Sequence, residues 1–198
     1  MTVTGRSDQA AALLREVGAV MDGHFRLTSG RHSPVYVEKF RLLQHPQHTE
    51  RLCRLIADHF RSERPELVAG PTTGGIILSY EVARLLGLRG IFAEPCLPAG
   101  RKSAAGRAFQ RGFQVRPGER TLIVDDVLTT GGSIREVIKA VRQAEGAPIG
   151  VGVLVDRSPP EAETDFGLPF FACVELDLPT YEEGACPLCD AGAPLTET

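Results

Sequence analysis

Short runs of branched apolar residues alternate along this chain with stretches in which apolar positions recur every three or four residues. The runs at 67–70, 90–93, 122–124, 150–155 and 169–174 have the length and composition of buried strands. Between them the periodicity turns helical. Ala10, Leu13, Leu14 and Val17 share one face of a helix over 7–17, with Ser7 as its N-cap. Leu52, Leu55, Ile56 and Phe60 do the same over 49–60, and Ile134, Val137, Ile138 and Val141 after residue 133. A further helix follows the glycines at 74 and 75. Such alternation predicts an α/β fold with a mainly parallel central sheet flanked by helices. One segment breaks the pattern. Residues 25–28 and 35–38 alternate imperfectly around the turn formers Ser29, Gly30 and Pro34, which predicts an antiparallel hairpin apart from the main sheet.

The 198 residues suffice for one domain spanning 1–198, with the hairpin region at about 20–40 and a tail at about 180–198 as its appendages. A net charge of −3 and a pI near 6.0 give no electrostatic case for nucleic acid or a membrane surface as partner. No run reaches membrane-spanning length and the first residues have no apolar signal core, so the expectation is a soluble cytoplasmic protein. The odd count of five cysteines fits free thiols in a reducing compartment. Cys186 and Cys189 form a single CxxC. Cys53, Cys96 and Cys173 supply no second pair, so no metal ligands are assigned and a reduced structural turn is expected.

The densest chemistry lies at 121–133. Leu122, Ile123 and Val124 lead into Asp125 and Asp126, which on a strand point to opposite faces. Burying unpaired carboxylates is expensive, so both are expected at the carboxyl end of the strand, facing a crevice. Val127, Leu128, Thr129, Thr130, Gly131, Gly132 and Ser133 follow, a hydroxyl- and glycine-bearing turn before a helix. Backbone amides at such a turn can hold a phosphate. Ser133 and Glu136 also have capping-box spacing, so an ordinary helix start stays open. Acids beside an anion cradle suit a phosphorylated sugar, whose hydroxyls the carboxylates would accept.

Pro71, Thr72, Thr73, Gly74 and Gly75 repeat the strand, glycine turn and helix order, a second possible anion site. Residues 94–118 have no clear periodicity but contain Arg101, Lys102, Arg107, Arg111 and Arg116. Cations on a mobile connection can meet charge that develops on a leaving group; each is also an ordinary solvated residue on its own. Arg157, after the strand at 150–155, is apt for a planar carboxylate.

The stretch from Leu122 to Ser133 resembles the phosphoribosyl pyrophosphate (PRPP) signature of type I phosphoribosyltransferases. The segment Phe25-x-Leu-Thr-Ser-Gly-Arg-x-Ser-Pro-x-Tyr36 is similar to the hood over the base in orotate phosphoribosyltransferases, a segment that purine transferases lack. The resemblance implies a type I phosphoribosyltransferase fold. It implies transfer of 5-phosphoribosyl from PRPP to orotate, giving orotidine 5′-monophosphate and pyrophosphate in UMP synthesis. It implies Mg²⁺ held mainly by the substrate and a homodimer sharing loop 94–118. It assigns PRPP to residues 125–133, pyrophosphate to residues 71–75, and orotate to Thr129, Arg157, Tyr36 and Lys39. Catalytic roles fall to Lys102, Arg101, Arg107 and Asp125. Two departures stand out: Thr28 replaces the lysine usual before Ser-Gly, and no histidine follows Arg101-Lys102 in the loop. The rival readings are a purine phosphoribosyltransferase and a non-catalytic PRPP-sensing regulator.

Overall fold

The computed structural model describes residues 5–27, 29–96, 106–159 and 162–198. Its centre is a six-stranded sheet built from β3 (Leu67–Pro71), β4 (Arg89–Pro95), β5 (Arg107–Phe109), β6 (Arg120–Leu128), β7 (Ala147–Asp156) and β8 (Phe170–Glu175). The spatial order is β5-β4-β3-β6-β7-β8, and every pairing is parallel except β4 with β5. The predicted helices are present as α1 (Gly5–Glu16), α3 (Pro46–Phe60), α4 (Gly74–Leu86) and α5 (Gly132–Gln143). Between α1 and α3 lies a short helix, α2 (Lys39–Leu43), which the pattern did not reveal. Five residues are too few for a periodic signal, and the Glu38 carboxylate, accepting from the Phe40 amide, sets its start.

Strand parity sorts the core into two layers. Val68, Leu122, Val124 and Leu154 point to one face, where α1, α3 and α4 bury Leu14, Ile56, Phe60 and Leu78. Leu67, Ala69, Ile123, Val151 and Val153 point to the other, against Ile134, Val137, Ile138 and Val141 of α5. The three central strands are covered on both faces, which is why they read as unbroken apolar runs rather than alternating ones.

The hairpin forms where expected, from β1 (Val20–Arg26) and β2 (His32–Val37), paired antiparallel. It belongs to a separate small sheet. Its third strand is supplied by the tail: β9 (Thr196–Glu197) runs parallel to β1, with Phe25 opposite Thr196. Before that strand comes the short helix α6 (Pro187–Asp190). Further contacts clasp tail to hairpin. His32 and Tyr181 exchange both backbone hydrogen bonds at 2.8 Å, the Ser33 hydroxyl donates to the Pro179 carbonyl, and the Arg31 guanidinium donates to Thr180 and pairs with Glu182.

Two expectations need correction. The connection over 94–118 is not uniformly irregular. Residues 107–109 form β5, an edge strand antiparallel to β4. Three residues are too short to register as alternation, and their partner strand decides them. Nor does β6 stop at the acids, which stand near its carboxyl end as expected. It runs on to Leu128, still paired to β7, so Asp125 and Asp126 lie within the strand and are only 8 % and 3 % exposed.

Candidate functional site

Two carboxylates can stay this deep because each has its own partners. Asp125 shares the face of Ile123 and α5, and Asp126 that of Leu122 and Val124, as alternation requires. The Asp125 Oδ1 accepts the Asp126 amide at 2.8 Å, and Asp125 lines a cavity of about 50 Å³ whose other walls are residues 127–134. Burial, and then the neighbouring Asp126, push the Asp125 carboxyl up to about 7. On the opposite face the Lys39 ammonium reaches both Asp126 oxygens, at 3.2 and 3.0 Å.

The cavity wall is the start of α5. The helix begins at Gly132, with Gly131 as N-cap at φ +75°, a left-handed value that glycine tolerates without cost to a Cβ. Among the described residues no side chain caps the first turn. The capping-box alternative is therefore not realised. Ser133 sits inside the helix, and Glu136 lies 3.2 Å from the Arg107 Nε instead. The open amides of this turn, the hydroxyls of Thr129, Thr130 and Ser133, and Asp125 converge on one small space.

The glycine turn at 71–75 borders the same strand end from the other face. A Cβ at Gly74 would stand 1.6 Å from the Asp126 Oδ2, so only glycine lets this backbone press on the acid. Pro71, Gly74 and Gly75 are buried, whereas Thr73 is exposed and Thr72 half-buried. The Thr72–Thr73 peptide is cis. Arg107, on β5, donates to the Thr72 hydroxyl at 3.0 Å and also approaches the Thr72 and Ala93 carbonyls. It thus ties the edge strand to the turn. Arg111 pairs with Glu94 through its Nε and Nη2, at 2.9 and 2.8 Å. Arg101, Lys102 and Thr28 lie outside the described residues.

The hood residues reach this strand end from above. Tyr36 leans against Phe25 with ring centroids 5.6 Å apart. Arg157, at the end of β7, is half-buried, and its Nε has no hydrogen-bond partner among the described residues. Burial lowers its pKa below the ordinary guanidinium value, and Tyr36 acts in the opposite sense. Lys39, assigned to the base, is committed to Asp126 and so bridges hood and acid pair. A separate cluster was missed from sequence: His24 and His32 of the hairpin stand beside Cys186 and Cys189. Only the CxxC was legible; its counterparts lie more than 150 positions earlier as two unremarked histidines.

A doubly wound sheet with two glycine turns beside paired acids suits a phosphorylated sugar, and comparison with known proteins supplies the class. A model of the phosphoribosyl transferase domain matches residues 41–179. An orotate phosphoribosyltransferase of Pelotomaculum thermopropionicum is 46 % identical over 190 residues, 96 % of this chain and 95 % of its own length. One from Thermus thermophilus is 43 % identical over 185 residues, 93 % of this chain and 97 % of its own. The crystal structure of orotate phosphoribosyltransferase from Aeropyrum pernix superposes with a TM-score of 0.71 at 29 % identity, covering 84 % of this chain and 93 % of that one. The chain belongs to the phosphoribosyl transferase family, among its orotate phosphoribosyltransferases, and has the type I fold.

Proposed function

We propose that this chain transfers the 5-phosphoribosyl group of PRPP to orotate, releasing pyrophosphate and forming orotidine 5′-monophosphate for UMP synthesis. The observation that carries this reading is the uncapped first turn of α5 opening on a cavity shared with Asp125. In this reading the amides and hydroxyls of residues 127–133 hold the 5′-phosphate. Asp125 and Asp126 accept hydrogen bonds from the ribose hydroxyls, and Lys39 keeps Asp126 oriented until the sugar enters. The turn at 71–75 supplies backbone amides and the Thr72 and Thr73 hydroxyls to the diphosphate, with Arg107 fixing Thr72.

Arg157 takes the orotate carboxylate in two parallel hydrogen bonds, aided by Tyr36 and Thr129. Its Nε has no partner among the described residues, which suits a group kept for a ligand. Rate acceleration comes from alignment of the base with the anomeric carbon and from positive charge near the departing diphosphate. Arg107 and, by resemblance, Arg101 and Lys102 are assigned to that charge.

The acids also fit a Mg²⁺ ion that keeps most of its waters and binds mainly through substrate oxygens. Asp125, the hard-oxygen group on the cradle side, would accept from those waters, and the ion would offset diphosphate charge. Among the described residues no helix is long and apolar enough to cross a membrane. Five free thiols accord with a cytoplasmic setting. We assign a homodimer on the exposed Phe40 of α2 and Ile77 and Tyr80 of α4, apolar side chains on adjoining helices that a second copy would cover.

Consumption of orotate should require both PRPP and Mg²⁺, with hypoxanthine and adenine inert as acceptors. Turnover of either purine at a rate comparable to orotate would overturn the base assignment, and no turnover of any base would overturn the transferase reading.

A further inference from the structure

We propose that His24, His32, Cys186 and Cys189 form a structural zinc site that fastens the C-terminal tail to the hood. The four side chains each offer one ligand atom, and these atoms all lie within 4.8 Å of one another. The His24 Nε2 is 3.0 Å from the His32 Nδ1, 3.5 Å from the Cys186 Sγ and 3.7 Å from the Cys189 Sγ. The Cys189 Sγ is 3.3 Å from the His32 Nδ1. A tetrahedral ion with bonds of about 2.3 Å to sulfur and about 2.0–2.1 Å to nitrogen sets its ligands roughly 3.3–3.8 Å apart. The four separations above, 3.0–3.7 Å, fall on or just below that range, and the other two pairs lie within 4.8 Å, so small shifts of side chains would seat the ion.

The protonation pattern also fits. The His24 Nδ1 stands 2.9 Å from the Ala193 carbonyl, which can only accept, so Nδ1 carries the hydrogen and Nε2 turns a bare lone pair to the cluster. His32 is 1 % exposed, and among the described residues its polar contacts are all on the Nδ1 that faces the other three donors. The thiols are unbridged. Cys186 and Cys189 sit on one tight turn, with the Cys189 amide donating to the Cys186 carbonyl at 3.0 Å, so both sulfurs present to one side. Cys189 lies at the surface and gives an ion its way in, whereas Cys186 is buried.

Two thiolates and two imidazoles select zinc over the hard cations magnesium and calcium, which take oxygen ligands. Four protein ligands leave no open position for a substrate or reactive water, so the site is structural. Its position explains its use. β1 contributes His24, β2 contributes His32, and the ligands on the tail precede β9, which completes the same small sheet. A three-stranded sheet whose third strand has two residues needs a further fastening, and the metal supplies one across 162 positions of chain. The proposal does not depend on which base the enzyme uses, since metal content reads it directly.

The test uses the full chain purified in reductant, stripped with a chelator and reloaded with zinc alone or with cobalt(II) alone. The expected result is one zinc per chain by elemental analysis. Cobalt should give the visible bands of a tetrahedral site with thiolate charge transfer. Cys189→Ser should weaken metal binding by more than about 100-fold, while Cys96→Ser, just after β4 and outside the cluster, should retain it. Stripping should lower Tm. A reloaded wild-type chain that stays folded by circular dichroism yet binds less than about a tenth of an ion, or that holds metal undiminished by Cys189→Ser, overturns the site.

Discussion

Asp125 is the residue on which pH dependence should turn. In the unfolded chain it ionises near 4, while burial and Asp126 push it up to about 7 in the folded one. Between those values the folded chain holds a proton that the unfolded chain has released, so this residue's contribution to stability declines as pH rises from about 4 to 7. Asp125→Asn removes the ionisation. Its Tm should exceed that of the wild type at pH 8, by on the order of 2 kcal/mol in stability, and the gap should narrow at pH 5. The same substitution removes the acceptor proposed for ribose hydroxyls, and calorimetry should find PRPP affinity lower by about tenfold or more. A variant both less stable at pH 8 and unimpaired in PRPP binding would refute the assignment. Arg157→Ala should act differently, raising KM for orotate by about tenfold or more while leaving PRPP affinity within about twofold. Equal losses for both substrates would remove Arg157 from the base site.

At the scale of elements, the site is a meeting of two strand-to-helix turns on opposite faces of one strand. The turn at 71–75 works only because Gly74 leaves room for Asp126, whose oxygen a Cβ would meet at 1.6 Å. Gly74→Ala should fold, since it falls at the start of α4 where alanine is a good helix former. It should nonetheless displace the acid and its Lys39 partner and lower kcat/KM for PRPP by about 100-fold. Near-normal kinetics would mean that the turn and the acid pair do not act together. The edge strand β5 has a matching role, because Arg107 reaches from it to Thr72 and Glu136.

At the scale of the whole molecule, the hood depends on chain that lies at the far end of the sequence. Residues 179–182 clasp β2, β9 extends β1, and the histidine–cysteine cluster sits between them. Deleting residues 180–198 should therefore raise KM for orotate far more than KM for PRPP, because the six-stranded sheet beneath the proposed PRPP turns takes no strand from the tail. Steady-state kinetics with each substrate varied would decide this, and a uniform loss would mean general unfolding. The assembly makes a separate prediction. Tyr80 is 68 % exposed on α4, and Tyr80→Glu should shift sedimentation from dimer to monomer. A wild-type monomer at micromolar concentration would exclude the proposed assembly.

Local pattern alone determined the alternation of strands and helices, the separate hairpin, and the two glycine turns with their acids. Each rests on neighbours in sequence: branched runs, helical spacing, and residues that permit tight turns or bear hydroxyls. It determined the opposite facing of Asp125 and Asp126 as well, since strand geometry leaves no other choice. Tertiary structure decided how deep those acids lie, because the end of β6 is set by its pairing with β7 and not by where the apolar run stops. It decided that Lys39 holds Asp126 and that residues 107–109 pair at the sheet edge. Above all it decided that a CxxC at one end of the chain faces two histidines at the other. Contacts across such distances follow from topology, which no local spacing of residues encodes.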